Sequence, residues 1–243
     1  LSRRLRAHVP ADMGLPSVVA FKLYYNAHMK LDYIETSTGT NPVGTVIWLH
    51  GLGADATDFE PLVPMLKLTH PLNFVFPNAP KRPVTINGGM EMRAWYDIDP
   101  SAPLASSADI NASTEALLDL VERTRGDHPT DKIALAGFSQ GGVIALNALV
   151  TAKTKFRGVM ALSTYVHNAE GIKDIVQLDN LDTPVFMAHG LLDPMIPAHR
   201  GVASREALSA LGFPIEWCEY RMGHEVCPQE ISDISHWLNK VFG

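Results

Sequence analysis

The chain has 243 residues, 46% of them hydrophobic and 19% charged, with a net charge of −6. This composition excludes a disordered or fibrous protein, and 20 Lys and Arg against 26 Asp and Glu argue against a nucleic-acid partner. No apolar run approaches the roughly 20 residues that cross a bilayer, which argues against integral membrane association. Two cysteines, Cys218 and Cys227, are too few for a disulfide framework and fit a reducing, cytoplasmic compartment.

Residues 1–28 differ from the rest. Arg3, Arg4 and Arg6 precede an apolar stretch at 13–21, which is the order of a secretory signal. Gly14 and Pro16 interrupt that stretch and no clear small-x-small cleavage site follows. Residues 1–28 therefore read as an amino-terminal extension of unassigned origin, and 29–243 as one domain.

From there the elements alternate. Residues 31–36 predict an edge strand closed by a polar turn at 37–42. The apolar, β-branched run at 45–50 predicts a buried strand ending at Gly51. A helical pattern covers 59–69, with Leu62, Val63 and Leu66 inward. A short strand at 73–76 stops at Pro77. Residues 77–105, rich in Pro, Gly and Ser and without a period, read as a long loop of the kind that carries function. A helix at 108–124 places Leu117, Leu118, Leu120 and Val121 in the core. A strand at 132–138 enters Ser139, and a mostly buried helix follows it.

Further strands are predicted at 158–163, 184–189 and Ile215–Tyr220. Helices are predicted at 203–211 and 231–241, the last with Pro228 near its first turn. Strand–helix alternation predicts a single α/β domain with a mostly parallel central sheet and helices on both faces. The join at 164–183 is too short for a large lid.

The sharpest motif is Gly137-Phe138-Ser139-Gln140-Gly141-Gly142, a Gly-x-Ser-x-Gly between an apolar strand and a helix. A tight strand-to-helix turn strains the serine backbone and leaves no room for side chains two positions away, so Gly137 and Gly141 fit. Ser139 then stands at a helix amino terminus, where free N–H groups favour developing negative charge. A plain serine-capped turn is the bland alternative, and the strand–turn–helix context favours catalysis.

Leu49-His50-Gly51-Leu52-Gly53 follows the strand at 45–50. Its glycines can aim the Leu52 N–H at the site, where with that of Gln140 it would bind a tetrahedral oxyanion. His50 reads as shaping the loop rather than as a base.

On such an elbow the acid and then the histidine follow the serine in the chain. His224 lies in a loop between the last strand and last helix, where a base needs to be. His189, His199 and His236 read as structural or surface residues. Asp193, after the strand at 184–189, sits at the same sheet end as Ser139, whereas Asp174, Asp179 and Asp182 do not. Cys218, His224 and Cys227 could be read as metal ligands, but zinc sites favour tight Cys-x-x-Cys pairs, so no metal is expected. Cys218 reads as a core residue.

With these residues in hand, the chain resembles the carboxylesterase and acyl-protein thioesterase (phospholipase/carboxylesterase) family of α/β hydrolases. Its landmarks run in family order. They are His50-Gly51-Leu52-Gly53, Pro77-Asn78-Ala79-Pro80, the stretch from Arg82 to Gly89, Trp95-Tyr96-Asp97, the serine motif, Gly190 with Asp193, and Gly223-His224. Ala94 stands where many relatives carry Pro.

The resemblance implies Ser139, Asp193 and His224 as catalytic triad and Leu52 and Gln140 as oxyanion donors. It implies an acyl pocket bordered by residues 78–104, with Trp95, Gly51 and Met195 as substrate-binding residues and no cofactor. The expected activity is hydrolysis of carboxylic esters through an acyl-enzyme, as a carboxylesterase of short to medium acyl esters. The alternative is an acyl-protein thioesterase or lysophospholipase of longer chains, and a distant one is a non-catalytic hydrolase-fold binding protein. The expected partner is a small-molecule ester or thioester, with a homodimer left open.

Overall fold

The computed structural model describes residues 30–102, 106–125 and 130–243. The expected extension at 1–28 lies outside the described residues. A seven-stranded sheet organises the chain. Its strands are β1 (Tyr33–Ser37), β2 (Thr45–Leu49), β3 (Asn73–Pro77), β6 (Ile133–Phe138), β7 (Gly158–Leu162), β8 (Val185–Gly190) and β9 (Ile215–Tyr220), in the order β1-β3-β2-β6-β7-β8-β9. β1 is antiparallel to β3, and every other pairing in this sheet is parallel. The strands β4 (Lys81–Val84) and β5 (Met90–Arg93) form a separate antiparallel hairpin.

Alternation along each strand sorts the core into two halves. Ile47, Leu49, Leu135, Val159, Ala161 and Met187 face one side. There they meet α1 (Ser107–Thr124) and α2 (Gln140–Thr151), and Leu208 of α3 (Ala198–Ala210) joins the same cluster. Val46, Trp48, Ala134, Ala136, Met160, Leu162 and Phe186 face the other. They pack with Ile234, Trp237 and Leu238 of α4 (Pro228–Phe242) and with Phe59 and Val63. Helices on both faces are what an all-parallel interior requires.

Three expectations change. The helical pattern at 59–69 yields only a 3₁₀ segment, Glu60–Met65, because Pro61 and Pro64 remove two backbone donors. The loop expected at 77–105 contains the β4–β5 hairpin, turned through Gly88 and Gly89 at φ 66° and 78°. α3 begins five residues before the expected 203, at Ala198, and includes Gly201. A Cβ at Gly201 would fall 2.6 Å from His189 Nδ1, so close packing explains a residue that looks like a helix breaker.

Candidate active site

The carboxyl ends of β2, β6, β8 and β9 converge on one place. β6 delivers Ser139, whose backbone sits at φ 52°, ψ −119°, left-handed geometry that non-glycine residues rarely adopt. The motif's glycines make that turn fit. A Cβ on Gly137 would lie 2.4 Å from Gly141 carbonyl atoms, and one on Gly141 would lie 2.6 Å from the carbonyl oxygens of Leu49 and His50. Two backbones touch there, so no side chain can move aside.

Asp193 and His224 arrive on loops zipped to one another. Leu191 and Leu192 donate backbone N–H groups to the Tyr220 and Met222 carbonyls at 2.8 and 3.0 Å. A Cβ on Gly190 would fall 2.2 Å from the Gly223 oxygen, so the two loops cross at a glycine. His224 Nδ1 lies 2.7 Å from Asp193 Oδ2, and its Nε2 lies 2.9 Å from Ser139 Oγ.

The chemistry assigns the protons. A carboxylate only accepts, so Nδ1 carries the hydrogen and Nε2 presents its lone pair to the serine hydroxyl. Burial pushes the Asp193 carboxyl up, yet the Ile196 N–H, the His224 ring and the Met195 N–H outweigh it and hold the group below its ordinary range. Both N–H groups reach Oδ1 at 2.8 Å. Asp193 therefore stays ionised at neutral pH. The Phe138 ring packs against the His224 ring with centroids 4.8 Å apart.

His50 is buried, and its ring is fully committed. Nε2 accepts the Ala79 N–H at 3.0 Å, which leaves the hydrogen on Nδ1 to donate to the Gly51 carbonyl at 2.6 Å. Burial is the largest influence on its pKa and lowers it. It shapes the loop, as expected, and has no free nitrogen for base chemistry. The loop also leans on the hairpin, since Gly53 donates to the Arg93 carbonyl at 2.9 Å. Among the described residues, no turn, loop or cap hydrogen bond engages the Leu52 or Gln140 backbone N–H.

Of the three residues expected to meet substrate, Gly51 lies beside Ser139, its Cβ position 3.4 Å from Ser139 Cβ. Met195 is 70% exposed on the acid loop, next to exposed Leu191 and Leu192. Trp95 is corrected. It is 0% exposed, and its indole N–H donates to the His50 carbonyl at 2.9 Å. It supports the loop from behind and has no face open to a ligand.

Several supporting contacts were not foreseen from the sequence. The Gln140 amide clamps the loop after the hairpin, accepting from Trp95 N at 2.8 Å and donating to the Tyr96 carbonyl at 2.7 Å. Asp97 accepts two bonds from Thr85 at 2.7 Å each, and Arg82 pairs with Asp109 of α1 at 2.6 Å. The Arg82–Gly89 and Trp95–Asp97 landmarks thus form one brace. His189 is buried with Nε2 2.9 Å from the Ile196 carbonyl, holding the acid loop's far end. Cys218 is half-buried rather than a full core residue, and both cysteines carry free thiols.

Comparison with known proteins agrees with this geometry. The family model for phospholipase/carboxylesterase matches residues 32–242. Acyl-protein thioesterase 1 of Neurospora crassa is 35% identical over 210 residues, which cover 81% of this chain and 86% of that protein. Its namesake from Yarrowia lipolytica is 36% identical over 206 residues, covering 81% and 91%. The crystal structure of Zea mays acyl-protein thioesterase 2 superposes with a TM-score of 0.77 at 25% identity, covering 89% of this chain and 100% of that one. Fold, serine elbow and matched span together place the chain in the phospholipase/carboxylesterase family of α/β hydrolases.

Proposed function

We propose that the protein releases acyl chains from thioesters and esters through an acyl-enzyme on Ser139, acting as an acyl-protein thioesterase. The observation that carries this reading is the relay itself, Asp193 to His224 at 2.7 Å and His224 to Ser139 at 2.9 Å, within one chain. Such spacing lets an imidazole take a hydroxyl proton as the oxygen attacks.

Ser139 Oγ bonds to the acyl carbon as its proton passes to His224 Nε2. The carbonyl electron pair moves to oxygen, where the Leu52 and Gln140 N–H groups receive the charge. Collapse expels the thiolate or alkoxide, which takes the proton back from Nε2. Water then gives a proton to His224, attacks the acyl carbon and frees the acid, and Ser139 regains its hydrogen. Asp193 holds the tautomer and stabilises the imidazolium without accepting the proton.

The thioesterase reading takes precedence over the expected short-ester carboxylesterase on two supports. The curated relatives at 35–36% identity carry the thioesterase name. Exposed Leu191, Leu192 and Met195 flank Asp193, apolar side chains suited to contact with an alkyl chain. Cytoplasmic placement belongs to the same proposal. No helix among the described residues is long and apolar enough to cross a membrane.

The test is a rate series on p-nitrophenyl esters from acetate to palmitate, beside an S-palmitoyl cysteine peptide, with Ser139→Ala in parallel. Thioester cleavage and a long-chain preference, both lost in the variant, are expected. An acetate optimum without thioester cleavage would replace the reading with the carboxylesterase. Turnover of no substrate would favour a binding protein.

A further inference from the structure

The oxyanion donor on Gln140 belongs to a peptide unit whose other end is the Ser139 carbonyl. The bond is trans, as are all peptide bonds among the described residues, so carbonyl and N–H point in opposite directions. Whatever holds the carbonyl therefore aims the N–H.

Three donors reach that carbonyl. Gly142 N and Val143 N, from the first turn of α2, lie at 3.1 and 3.3 Å. The shortest bond comes from outside the helix, from the Thr164 hydroxyl at 2.7 Å.

The chain goes to some trouble to place this hydroxyl. Ser163, the residue after β7, is fully buried at φ 45°, a conformation that costs a non-glycine residue about 1–2 kcal/mol. The Ser163 hydroxyl is buried without a partner. Gly142 is also accommodated to Thr164, because a Cβ there would meet Thr164 Cβ and Cγ2 at 2.6 Å. Strain, an unpartnered hydroxyl and a glycine thus surround one short hydrogen bond.

We propose that Thr164 is a positioning residue for the oxyanion hole. Its hydroxyl fixes the plane of the Ser139–Gln140 peptide and polarises it, so that the Gln140 N–H is aimed and strengthened as a donor before substrate arrives. Donation to a carbonyl strengthens the N–H of the same amide, because hydrogen bonds in series polarise one another. The effect is confined to the state that carries charge on the acyl oxygen, so it lowers the barrier without tightening ground-state binding. This inference rests on the acyl-enzyme reading of Ser139.

Thr164→Val keeps the shape over Gly142 and removes only the hydroxyl. The Ser139 carbonyl retains its two backbone donors, so the variant is not left with a buried orphan acceptor. Thr164→Ser restores the hydroxyl.

With p-nitrophenyl octanoate, Thr164→Val should lower kcat roughly tenfold with KM within about twofold of the parent. That is less than the 10²–10³ expected for deleting an oxyanion donor outright. Affinity for an octyl trifluoromethyl ketone, whose hemiketal oxygen occupies the hole, should fall by the same factor. Thr164→Ser should recover most of both.

A Thr164→Val enzyme with parental kcat and ketone affinity would overturn the proposal. So would a Thr164→Ser enzyme as slow as Thr164→Val, since packing rather than the hydroxyl would then matter. Ser139→Ala separates the two readings. If it abolishes turnover while Thr164→Val is unaffected, the hydrolase stands and the role of Thr164 falls.

Discussion

Ser139, the proposed nucleophile, and its proposed acid–base partners Asp193 and His224 are held by opposite kinds of force. The elbow at β6–α2 is a steric construction, in which Gly137 and Gly141 allow backbones to touch and Ser139 sits at φ 52°. The Asp193 and His224 loops are a polar construction. Their backbones are hydrogen-bonded to each other, and one carboxylate takes two N–H groups and an imidazole. A steric device fails when volume is added. A polar device fails when a charge or a donor is changed, and it fails while the fold survives. The division suits the chemistry, because the serine must stay fixed while the imidazole gains and loses a proton.

The largest effect should come from breaking the polar side. Asp193→Asn should reduce kcat by roughly 10³–10⁴-fold, because an amide can donate to the imidazole and reverse its tautomer. Thermal unfolding should change little by comparison, and a large loss of stability alongside would place the acid loop in the folding core instead.

The elbow should show the reverse pattern. Gly141→Ala puts a methyl group 2.6 Å from two backbone oxygens and should cost roughly 3 kcal/mol or more, read by urea unfolding, with activity lost as a consequence. A variant that folds normally would show that the elbow yields.

A third test concerns α4, which follows the His224 loop. Glu230 is fully buried, and burial, outweighing an opposing backbone hydrogen bond at Cys227, pushes its pKa up to about 8 from 4.5. The folded state keeps a proton that the unfolded chain releases. The contribution is therefore whole below about 4.5, declines by about 1 kcal/mol per pH unit, and is gone once pH passes about 8. Glu230→Gln should match the parent at pH 4.5 and melt higher at pH 8.5. Equal melting at both pH values would mean that water or a neighbour satisfies the carboxylate.

The smallest effect should come from the open rim. Met195→Gln should raise KM for long-chain esters a few-fold and leave stability within about 0.5 kcal/mol, since the side chain is exposed. An unchanged KM would remove Met195 from the acyl path.

The same division decides what could be read from the sequence. The elbow was legible because steric demand writes itself as glycine at fixed spacing, and strand β6 and helix α2 carried unmistakable apolar runs. Asp193 and His224 were legible from chain order and from the ends of strands. Trp95 was misjudged, because composition cannot say which face of a loop an indole turns to, and here its N–H is spent on His50. The hairpin was hidden by Pro83, Gly88 and Gly89, which punctuate a turn as readily as a loop. Thr164 and the Gln140 side chain were invisible, since their partners are backbone atoms 25 and 44 or 45 residues away.

The acyl-enzyme is the claim on which the rest depends, and intact-mass spectrometry of the protein mixed with p-nitrophenyl octanoate tests it most directly. The account predicts a burst of nitrophenolate with a transient octanoyl adduct that maps to Ser139 and is absent from Ser139→Ala. An adduct on another residue, or undiminished turnover by Ser139→Ala, would contradict it.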